Sequence, residues 1–498
     1  MLQLREVLQE PTIGEMRDAL RRLPADLHDT FEITLQRIRT LPRGKRRIGM
    51  STLLWVTQAQ RPLRMSELRE ALAVRAQSSM LEESYSPTEQ TIVEACMGLI
   101  ILEQATSEVH FIHQTVREHV REKQFDSLRE ATCDLEHLCL TYLLLRDFES
   151  GPCSGGADKD SALLIRLAQH PFFNYASVHW SKNLDGGDEV GGNRLERILS
   201  SPPNLQAALQ GSIFLQGYRE EYWCAEEALS TTPLHVACRL GCVDMVKKLL
   251  QQGANINAIT KVCKHTPVHH AVAKPNIEIL KLILDHGPDL HQCNWYGTPL
   301  HNAAEAENCE HILLLLGKGM SVDQVEMRLG RTSLHCAVQE RQWAAIKLLL
   351  ENGADPKARD FQGRSPIHYL HYTNYNNIVQ NSRGYRKRIL VMDNDHLSKV
   401  STESTELLFH DKSDLNAQDN DGNTPLHMAA MNCDRTLTIL LIALHVDHTT
   451  RNSEGWSAKE LIPPHEEEFA RTFLNNSFAY ERPQDSLLLK VLLGHESL

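Results

Sequence analysis

The residues with the clearest potential for chemistry are histidines, of which the chain has 25. A histidine side chain can transfer protons near neutral pH or ligate a metal. Six of them stand at the fourth position of a recurring motif that starts with Thr or Ser, namely Thr232/His235, Thr266/His269, Thr298/His301, Thr332/His335, Ser365/His368 and Thr424/His427. Because one ring recurs at one motif position, we expect a structural role in which it hydrogen-bonds locally and holds the loops together.

Other patterns that would indicate metal binding or catalysis are incomplete. Cys238 and Cys242 lie near His235, but no second pair of ligands follows at the spacing of a zinc site. The segment DNDGN, residues 419–423, lacks the first and twelfth ligands of a calcium loop. No GxxxxGK[ST] phosphate-binding loop and no GxSxG nucleophile motif occurs. We therefore expect no enzyme activity, no metal, no cofactor and no small-molecule substrate.

The six motifs recur with a nearly constant period. Their starts are separated by 34, 32, 34, 33 and 59 residues, and a weaker seventh copy places Ser457 another 33 residues on. Thr or Ser is a favourable helix N-cap and the Pro that usually follows suits the first helical position. A second stretch with apolar residues at helical spacing follows in each copy, as in WAAIKLLLENG at 343–353. Each period therefore predicts two helices and a polar hairpin loop.

This repeat resembles the ankyrin repeat. The TPLH helix start, the period of about 33 and loops such as GADPKARDFQG at 353–363 carry the resemblance, which extends over about residues 231–476. It implies an α-solenoid with β-hairpin loops, in which each unit packs only on its neighbours. Residues 204–229 and the stretch after Pro463 are expected to form degenerate terminal caps.

Two departures from the pattern carry expectations of their own. The 59-residue interval contains 26 extra residues, roughly 375–401, which should protrude between the two helices of one unit. In the last full repeat, His445 occupies the usual Gly position and Thr438 stands where Val246 does in the first repeat. These two replacements predict a less stable end of the solenoid.

The N-terminal part predicts several helices. At its end, an apolar run (Met97 to Leu102), a polar turn and the segment VHFIHQTVREHV indicate a helix, a two-stranded wing and a closing helix. The order is similar to the winged-helix region of fungal NACHT-ankyrin proteins, and segments at 135–145 and 170–184 resemble the helical spacer of that family. The matching positions are Leu23, Pro24, Leu27, Phe31, Leu35, Ala59, Arg61, Pro62, Leu63, Glu67, Leu68, Ala71, Cys96, Gly98, Leu99 and His113. The fold class is thus mainly α, with a winged-helix-like domain, a helical spacer and an ankyrin solenoid.

The expected domains are 1–125 (winged helix), 126–202 (spacer), 203–478 (repeats) and 479–498 (tail). The family's nucleotide-binding domain has no counterpart here, because its phosphate-binding loop is missing. Either the chain is a natural short form or its gene is truncated, and the residues do not decide between the two. A truncated NACHT-type NTPase therefore stays as one functional hypothesis.

Charge and hydropathy restrict the partners and the compartment. The net charge is −12, of which the first 130 residues contribute −1 and the remainder −11, so direct nucleic-acid binding is not expected. The N-terminus has no apolar signal core, and apolar stretches such as 138–145 are too short to cross a membrane. The 12 cysteines include no CxxC pair. We expect a soluble chain without membrane contact, with reduced thiols, in the cytoplasm, the nucleus or both.

Large side chains at the hairpin tips are the candidates for partner binding, because exposed aromatic residues and arginine supply binding energy at interfaces. The candidates are Trp295, Tyr296, Arg328, Phe361 and Gln362. The main hypothesis is a non-enzymatic adaptor or regulatory protein that binds a protein partner. An alternative is a nuclear transcription co-regulator whose partner is a transcription factor, since basic clusters at 42–47 and 383–388 could serve nuclear import.

Overall fold

The computed structural model describes most of the chain. The described residues are 27–75, 79–123, 135–153, 159–181, 195–215, 223–370 and 414–462, the last range without 433, 435–436, 439–440, 443 and 445. Several features named above lie outside them: Leu23 and Pro24, the insertion with its basic cluster at 383–388, His445, the cap after Pro463 and the tail 479–498. The chain divides into two compact units, Met1–Pro233 and Leu234–Leu498.

The first unit contains a series of described α-helices and one hairpin. They are α1 (Leu27–Thr40), α2 (Arg43–Gln58), α3 (Met65–Ala73), α4 (Glu89–Ala95), β1 (Ile100–Leu102), β2 (Val109–Phe111), α5 (Gln114–Lys123), α6 (Leu135–Leu143), α7 (Lys159–Gln169), α8 (Phe173–His179), α9 (Pro202–Leu215) and α10 (Trp223–Ser230). None of these helices, and none described in the second unit, combines the length and the apolar character that a membrane crossing requires.

The first five helices and the hairpin form a winged helix. Apolar residues of α1 and α2 recur at helical spacing and are buried, among them Phe31, Leu35 and Trp55. The helices α2 and α4 cross closely at Gly49, where a Cβ would lie 2.5 Å from the Ala95 carbonyl oxygen. The antiparallel wing pairs Ile100 with Phe111 and Leu102 with Val109. The predicted order of helices, wing and closing helix is confirmed.

The spacer helices pack on the winged helix around aromatic rings within the same unit. Trp55 lies edge-on to Phe172 and Tyr175, with ring centroids 5.3 and 5.6 Å apart. Glu70 of α3 accepts hydrogen bonds from the Tyr142 hydroxyl (2.8 Å) and the Phe172 N–H (2.9 Å). Burial raises the pKa of this carboxyl, and the two hydrogen bonds oppose that shift. Winged helix and spacer thus share one core.

The first four repeats of the second unit are helix pairs. Its helices are α11 (Pro233–Leu240), α12 (Val243–Gln251), α13 (Pro267–Val272), α14 (Ile277–Asp285), α15 (Pro299–Glu305), α16 (Cys309–Gly317), α17 (Ser333–Gln339), α18 (Trp343–Glu351) and α19 (Pro425–Met431). The fifth motif starts a short 3-10 helix, Pro366–Tyr369. The first helices of successive repeats pack side by side, as α15 does on α17. The mainly helical fold class with a terminal ankyrin solenoid is confirmed.

The Thr and His of each motif close the start of the first helix. In the third copy, His301 Nδ1 accepts hydrogen bonds from the Thr298 N–H (3.2 Å) and hydroxyl (2.8 Å). The same reciprocal capping box occurs at Thr266/His269, Thr332/His335, Ser365/His368 and Thr424/His427. In the first copy, Thr232 directly precedes α11. The box satisfies donors that a helix N-terminus leaves without intrahelical partners.

The other ring nitrogen of each motif histidine reaches the following repeat. His301 Nε2 lies 2.9 Å from the Arg331 carbonyl oxygen and His335 Nε2 lies 3.0 Å from that of Arg364. The remaining four rings make the same contact, to the carbonyls of His265, Gly297, Ala417 and Trp456. A carbonyl can only accept and an amide N–H can only donate, so in each complete box the ring is the neutral form protonated at Nε2. We call this contact the histidine staple.

The repeats on either side of the insertion pack directly on each other. Arg341, in the turn between α17 and α18, donates a 2.9 Å hydrogen bond to the buried carboxylate of Asp434 and a 3.1 Å bond to the Leu370 carbonyl. The Asn420 N–H donates to the Gln362 carbonyl (2.9 Å). The stack therefore continues across the 59-residue interval.

We predict that acid weakens the second unit through the histidine staples. Burial lowers the pKa of His269 to about 3 and the pKa of His301, His335 and His368 to about 4. Below pH ~6.5 the unfolded chain takes up protons that the folded rings exclude. The free energy of unfolding should therefore be highest above that pH. It should fall as the pH is lowered towards ~4, by about 3 kcal/mol at most for each ring. Urea unfolding midpoints measured between pH 7.5 and 4.5 check this, and a flat profile would contradict it.

A matched pair of variants isolates one staple. His301→Ala leaves the Thr298 N–H and the Arg331 carbonyl without their partner, so it should cost about 2–4 kcal/mol at pH 7.5 and reduce the acid sensitivity. The exposed His448 makes no such box, and His448→Ala should leave the midpoint at pH 7.5 unchanged. Equal effects of both changes would exclude the staple as a stabilising contact.

The same substitution at two buried threonines should have opposite effects. Thr438 is 1% exposed, and its hydroxyl has no hydrogen-bond partner among the residues that the structure describes. Thr438→Val should therefore raise the unfolding free energy by about 1 kcal/mol. Thr424→Val should lower it by about 1–2 kcal/mol, because the Thr424 hydroxyl lies 2.8 Å from His427 Nδ1. Thermal unfolding of the two variants tests the pair, and a shift of the same sign in both would refute it.

Candidate functional site

The second unit presents six hairpin tips, one before each motif helix from the second to the seventh copy. We number them tip 1 (residues 260–265), tip 2 (294–297), tip 3 (326–331), tip 4 (360–364), tip 5 (419–423) and tip 6 (452–456). The side-chain oxygens that close tips 2 to 6 belong to Asn294, Glu326, Asp360, Asp419 and Asn452, each accepting two backbone N–H groups. These acceptors fix the tips and leave the following side chains pointing outward.

Successive tips contact one another in chain order. Backbone N–H groups of Trp295, Phe361, Asn420 and Ser453 donate to the carbonyls of Cys263, Leu329, Gln362 and Asp421 of the preceding tip, at 2.8 to 3.2 Å. Between tips 2 and 3, the Arg328 guanidinium lies 5.8 Å from the centre of the Trp295 ring, within the range of a cation–π contact. The six tips therefore form one continuous edge.

The sequence-predicted residues of tips 2 and 3 lie together. Trp295 is 37% exposed and Arg328 is exposed beside it. Tyr296 is only half-buried and stacks on the His265 ring of tip 1, with centroids 6.5 Å apart. Trp295 and Arg328 therefore present an aromatic face and a cation to solvent, whereas Tyr296 is partly occupied in holding tip 1 to tip 2.

Phe361 and Gln362 lie at the summit of tip 4. Phe361 is 63% exposed, and one side of its ring covers Gly330 of tip 3, where a Cβ would lie 2.5 Å from a ring carbon. Gly330 also has a φ of +73°, so glycine suits this position on both counts. Gln362 is exposed, and its carbonyl accepts the bond from tip 5. Phe361 thus packs between tips 3 and 4 with one side of its ring and exposes apolar surface with the rest.

Three further exposed apolar side chains lie at or beside the tips, and sequence reasoning missed them. Met327 is 83% exposed, Trp456 is 48% exposed and Val325 is 47% exposed. Met327 directly follows the acceptor that closes its tip, as Trp295 and Phe361 do. Its position in the repeat could therefore have identified it as an exposed tip residue. Trp295, Met327 and Phe361 thus occupy the same position of three consecutive tips, and we call them the apolar row.

The winged helix contains a groove of about 200 Å³ between Trp55, Pro62, Phe111 and the start of α5. Its cations already have partners, because Arg61 forms two 2.7 Å bonds with Glu67 and Arg117 lies 3.3 Å from the Thr57 carbonyl. No sequence motif indicated this groove.

On the wing, the ligand atoms of Glu103, Glu108 and His110 lie within 4.8 Å of one another. His110 lies 3.6 and 3.4 Å from the two carboxylates. None of the three side chains is buried, and we interpret them as a surface cluster of two carboxylates around a histidine.

Family comparisons match both units. The family described as "GPI inositol-deacylase, winged helix domain" matches residues 31–130. The family "Ankyrin repeats (3 copies)" matches residues 234–326, 268–360 and 300–381, and "Ankyrin repeats (many copies)" matches 399–442. The matched ranges agree with the winged helix and with the repeats that surround the tips.

Curated relatives share the repeat region. The chain is 32% identical to the nuclear factor NF-kappa-B p105 subunit of Gallus gallus over 212 residues, 41% of this chain and 20% of that protein. It is 33% identical to the B-cell lymphoma 3 protein homolog of Mus musculus over 162 residues, 32% of this chain and 36% of that protein. The chain thus spans between a fifth and about a third of these relatives.

Among solved structures, the human ASB11 ankyrin repeat domain aligns with 49% of this chain and 98% of its own, at 21% identity and a TM-score of 0.37. The matched families agree with the folds of the two described units. The chain is an ankyrin-repeat protein that carries an N-terminal winged-helix domain of the GPI inositol-deacylase type.

Proposed function

We propose that this chain is a non-enzymatic adaptor that binds a protein partner through the tips of its ankyrin repeats. The observation that carries the proposal is the apolar row, in which Trp295, Met327 and Phe361 are 37%, 83% and 63% exposed on consecutive tips. Side chains of this size cost free energy when they face water, and grouped at one edge they are typical of an interaction surface.

The structure of the tips favours a preformed binding surface. Side-chain acceptors close each tip, and hydrogen bonds or a cation–π contact join neighbouring tips, so the partner need not order them on binding. Arg328 adds a cation beside the Trp295 ring, and arginine and tryptophan are both enriched among interface hot-spot residues. The winged helix and spacer, which share one core, would serve as the platform on which the partner acts.

A nuclear co-regulator of transcription is the second candidate. It is favoured by the likeness of 41% of the chain to a relative whose name includes "nuclear factor". The basic cluster at 42–47, partly in α2, offers an import signal. A fluorescent fusion that never enters the nucleus under any growth condition would exclude this role.

The fungal NACHT resemblance supports a third possibility, in which the winged helix, spacer and repeats of this chain correspond to the part of a signalling NTPase that follows its nucleotide-binding domain. Sequencing the transcript upstream of Met1 tests it. A reading frame that continues upstream into a GxxxxGK[ST] motif would support an NTPase, and an in-frame stop codon immediately upstream would exclude it.

We predict that removing the two aromatic members of the apolar row strongly reduces partner capture. Full-length chain should be compared with Trp295→Ala/Phe361→Ala in affinity purification with quantitative mass spectrometry. Loss of two exposed aromatic anchors should reduce specific partners at least tenfold. The control Leu313→Ala removes a side chain that is 50% exposed on α16, away from the tips, and should retain them. Equal recovery by all three proteins, each with an unchanged melting temperature, would remove the tip assignment.

A further inference from the structure

The charges along the edge of tips are not evenly distributed. Exposed cations lie on the early tips, with Lys261 and Lys264 on tip 1 and Arg328 on tip 3. Exposed acids lie on the late tips, with Asp421 on tip 5 and Glu454 on tip 6. The edge is therefore basic at its N-terminal end and acidic at its C-terminal end, although residues 131–498 as a whole carry a net charge of −11.

Other charges near the tips do not reverse this polarity. Arg331 lies 3.4 Å from the buried Glu326, and Arg364 lies 3.3 Å from the buried Asp419, so both are neutralised within the structure. Arg451, beside tip 6, lies 3.0 Å from Glu460.

Arg359, beside tip 4, is exposed and donates to the carbonyls of Gly363 and Gln418. It adds positive charge to the middle of the edge. The acidic end consequently begins at tip 5.

The apolar row lies between the two charged ends. Trp295, Met327 and Phe361 belong to tips 2, 3 and 4. The lysines of tip 1 precede them, Arg328 and Arg359 lie among them, and the acids of tips 5 and 6 follow them. A partner that follows the whole edge therefore meets cations over tips 1 to 4, with the apolar row among them from tip 2 onward, and then acids over tips 5 and 6. No single-sign polymer, such as a nucleic acid or an anionic membrane, is complementary to that order.

We infer that the partner segment is an extended peptide with Asp or Glu at one end, apolar side chains in its middle and Lys or Arg at its other end. This inference rests on the proposed function and specifies its ligand. The acidic end lies over tip 1 and its last acid reaches Arg328 of tip 3, the apolar residues lie over tips 2 to 4, and the basic end lies over tips 5 and 6. Complementary charges then set the orientation of the segment, and the apolar row supplies most of the affinity.

The repeat spacing fixes the length of that segment. Packed helices lie roughly 8–10 Å apart, and we take the same spacing for the tips that precede them. An extended chain advances about 3.3 Å per residue, so about three residues correspond to each tip and about 14 residues span tips 1 to 6. Apolar anchors are therefore expected at intervals of about three residues.

A peptide display experiment tests the inference. A yeast-displayed library of random 16-residue peptides is selected against the full-length chain, against Lys264→Glu/Arg328→Glu, and against Phe361→Ala. The matched control is Lys281→Glu/Lys318→Glu, which reverses two exposed lysines on α14 and at the end of α16, away from the tips. Melting temperatures establish that every variant is folded.

The expected result is enrichment of peptides whose acidic and basic residues separate to opposite ends around apolar residues. Their binding should fall at least tenfold with Phe361→Ala and with Lys264→Glu/Arg328→Glu, and stay within twofold with the control. Enriched peptides that depend on Phe361 but show no charge separation, or that are uniformly acidic, would overturn the inference and leave the proposed function standing. Enriched peptides insensitive to Phe361 would overturn both.

Discussion

The second unit depends on a neutral imidazole in each of its five Thr/Ser–His capping boxes. Its Nδ1 accepts the donors of its own helix start, and its Nε2–H donates to a carbonyl in the tip of the next repeat, as His301 does between Thr298 and Arg331. One side chain thus caps a helix and fixes the distance to its neighbour. A protonated ring cannot accept a hydrogen bond at Nδ1, so the arrangement requires a neutral ring. Burial away from water favours that neutral form.

The histidine staple also explains why the tips can carry exposed apolar side chains. A tip that was held only by its own turn would gain by folding a ring such as Phe361 back onto the protein. Here the base of the tip is anchored from the repeat before it, and the turn is closed by a buried acceptor, Asp360 in this case. The backbone has no freedom to withdraw the ring, which therefore stays at the surface.

Local patterns in the sequence predicted the helix starts, the hairpins and the wing, because each depends on residues within a few positions of one another. The long-range contacts could not be predicted in the same way. The carbonyl that His335 contacts belongs to Arg364, 29 residues on, and the spacer ring that meets Trp55 belongs to Phe172. Met327 was missed because tip 3 is longer than tip 2, which obscures the shared register of the two tips. The positions of the tip candidates followed from the repeat, but the half-buried state of Tyr296 followed only from its stacking on His265.

Backbone hydrogen bonds join neighbouring tips, as the Phe361 N–H does to the Leu329 carbonyl. The edge of tips therefore helps to hold successive repeats together. In a linear array, cooperativity is limited to contacts between nearest neighbours, so two halves of the array can separate at one weak joint. A ligand that lies along several tips bridges those joints, and it must be released before any of them opens. A ligand bound along the edge would therefore make repeats that otherwise open independently unfold together, as one cooperative unit.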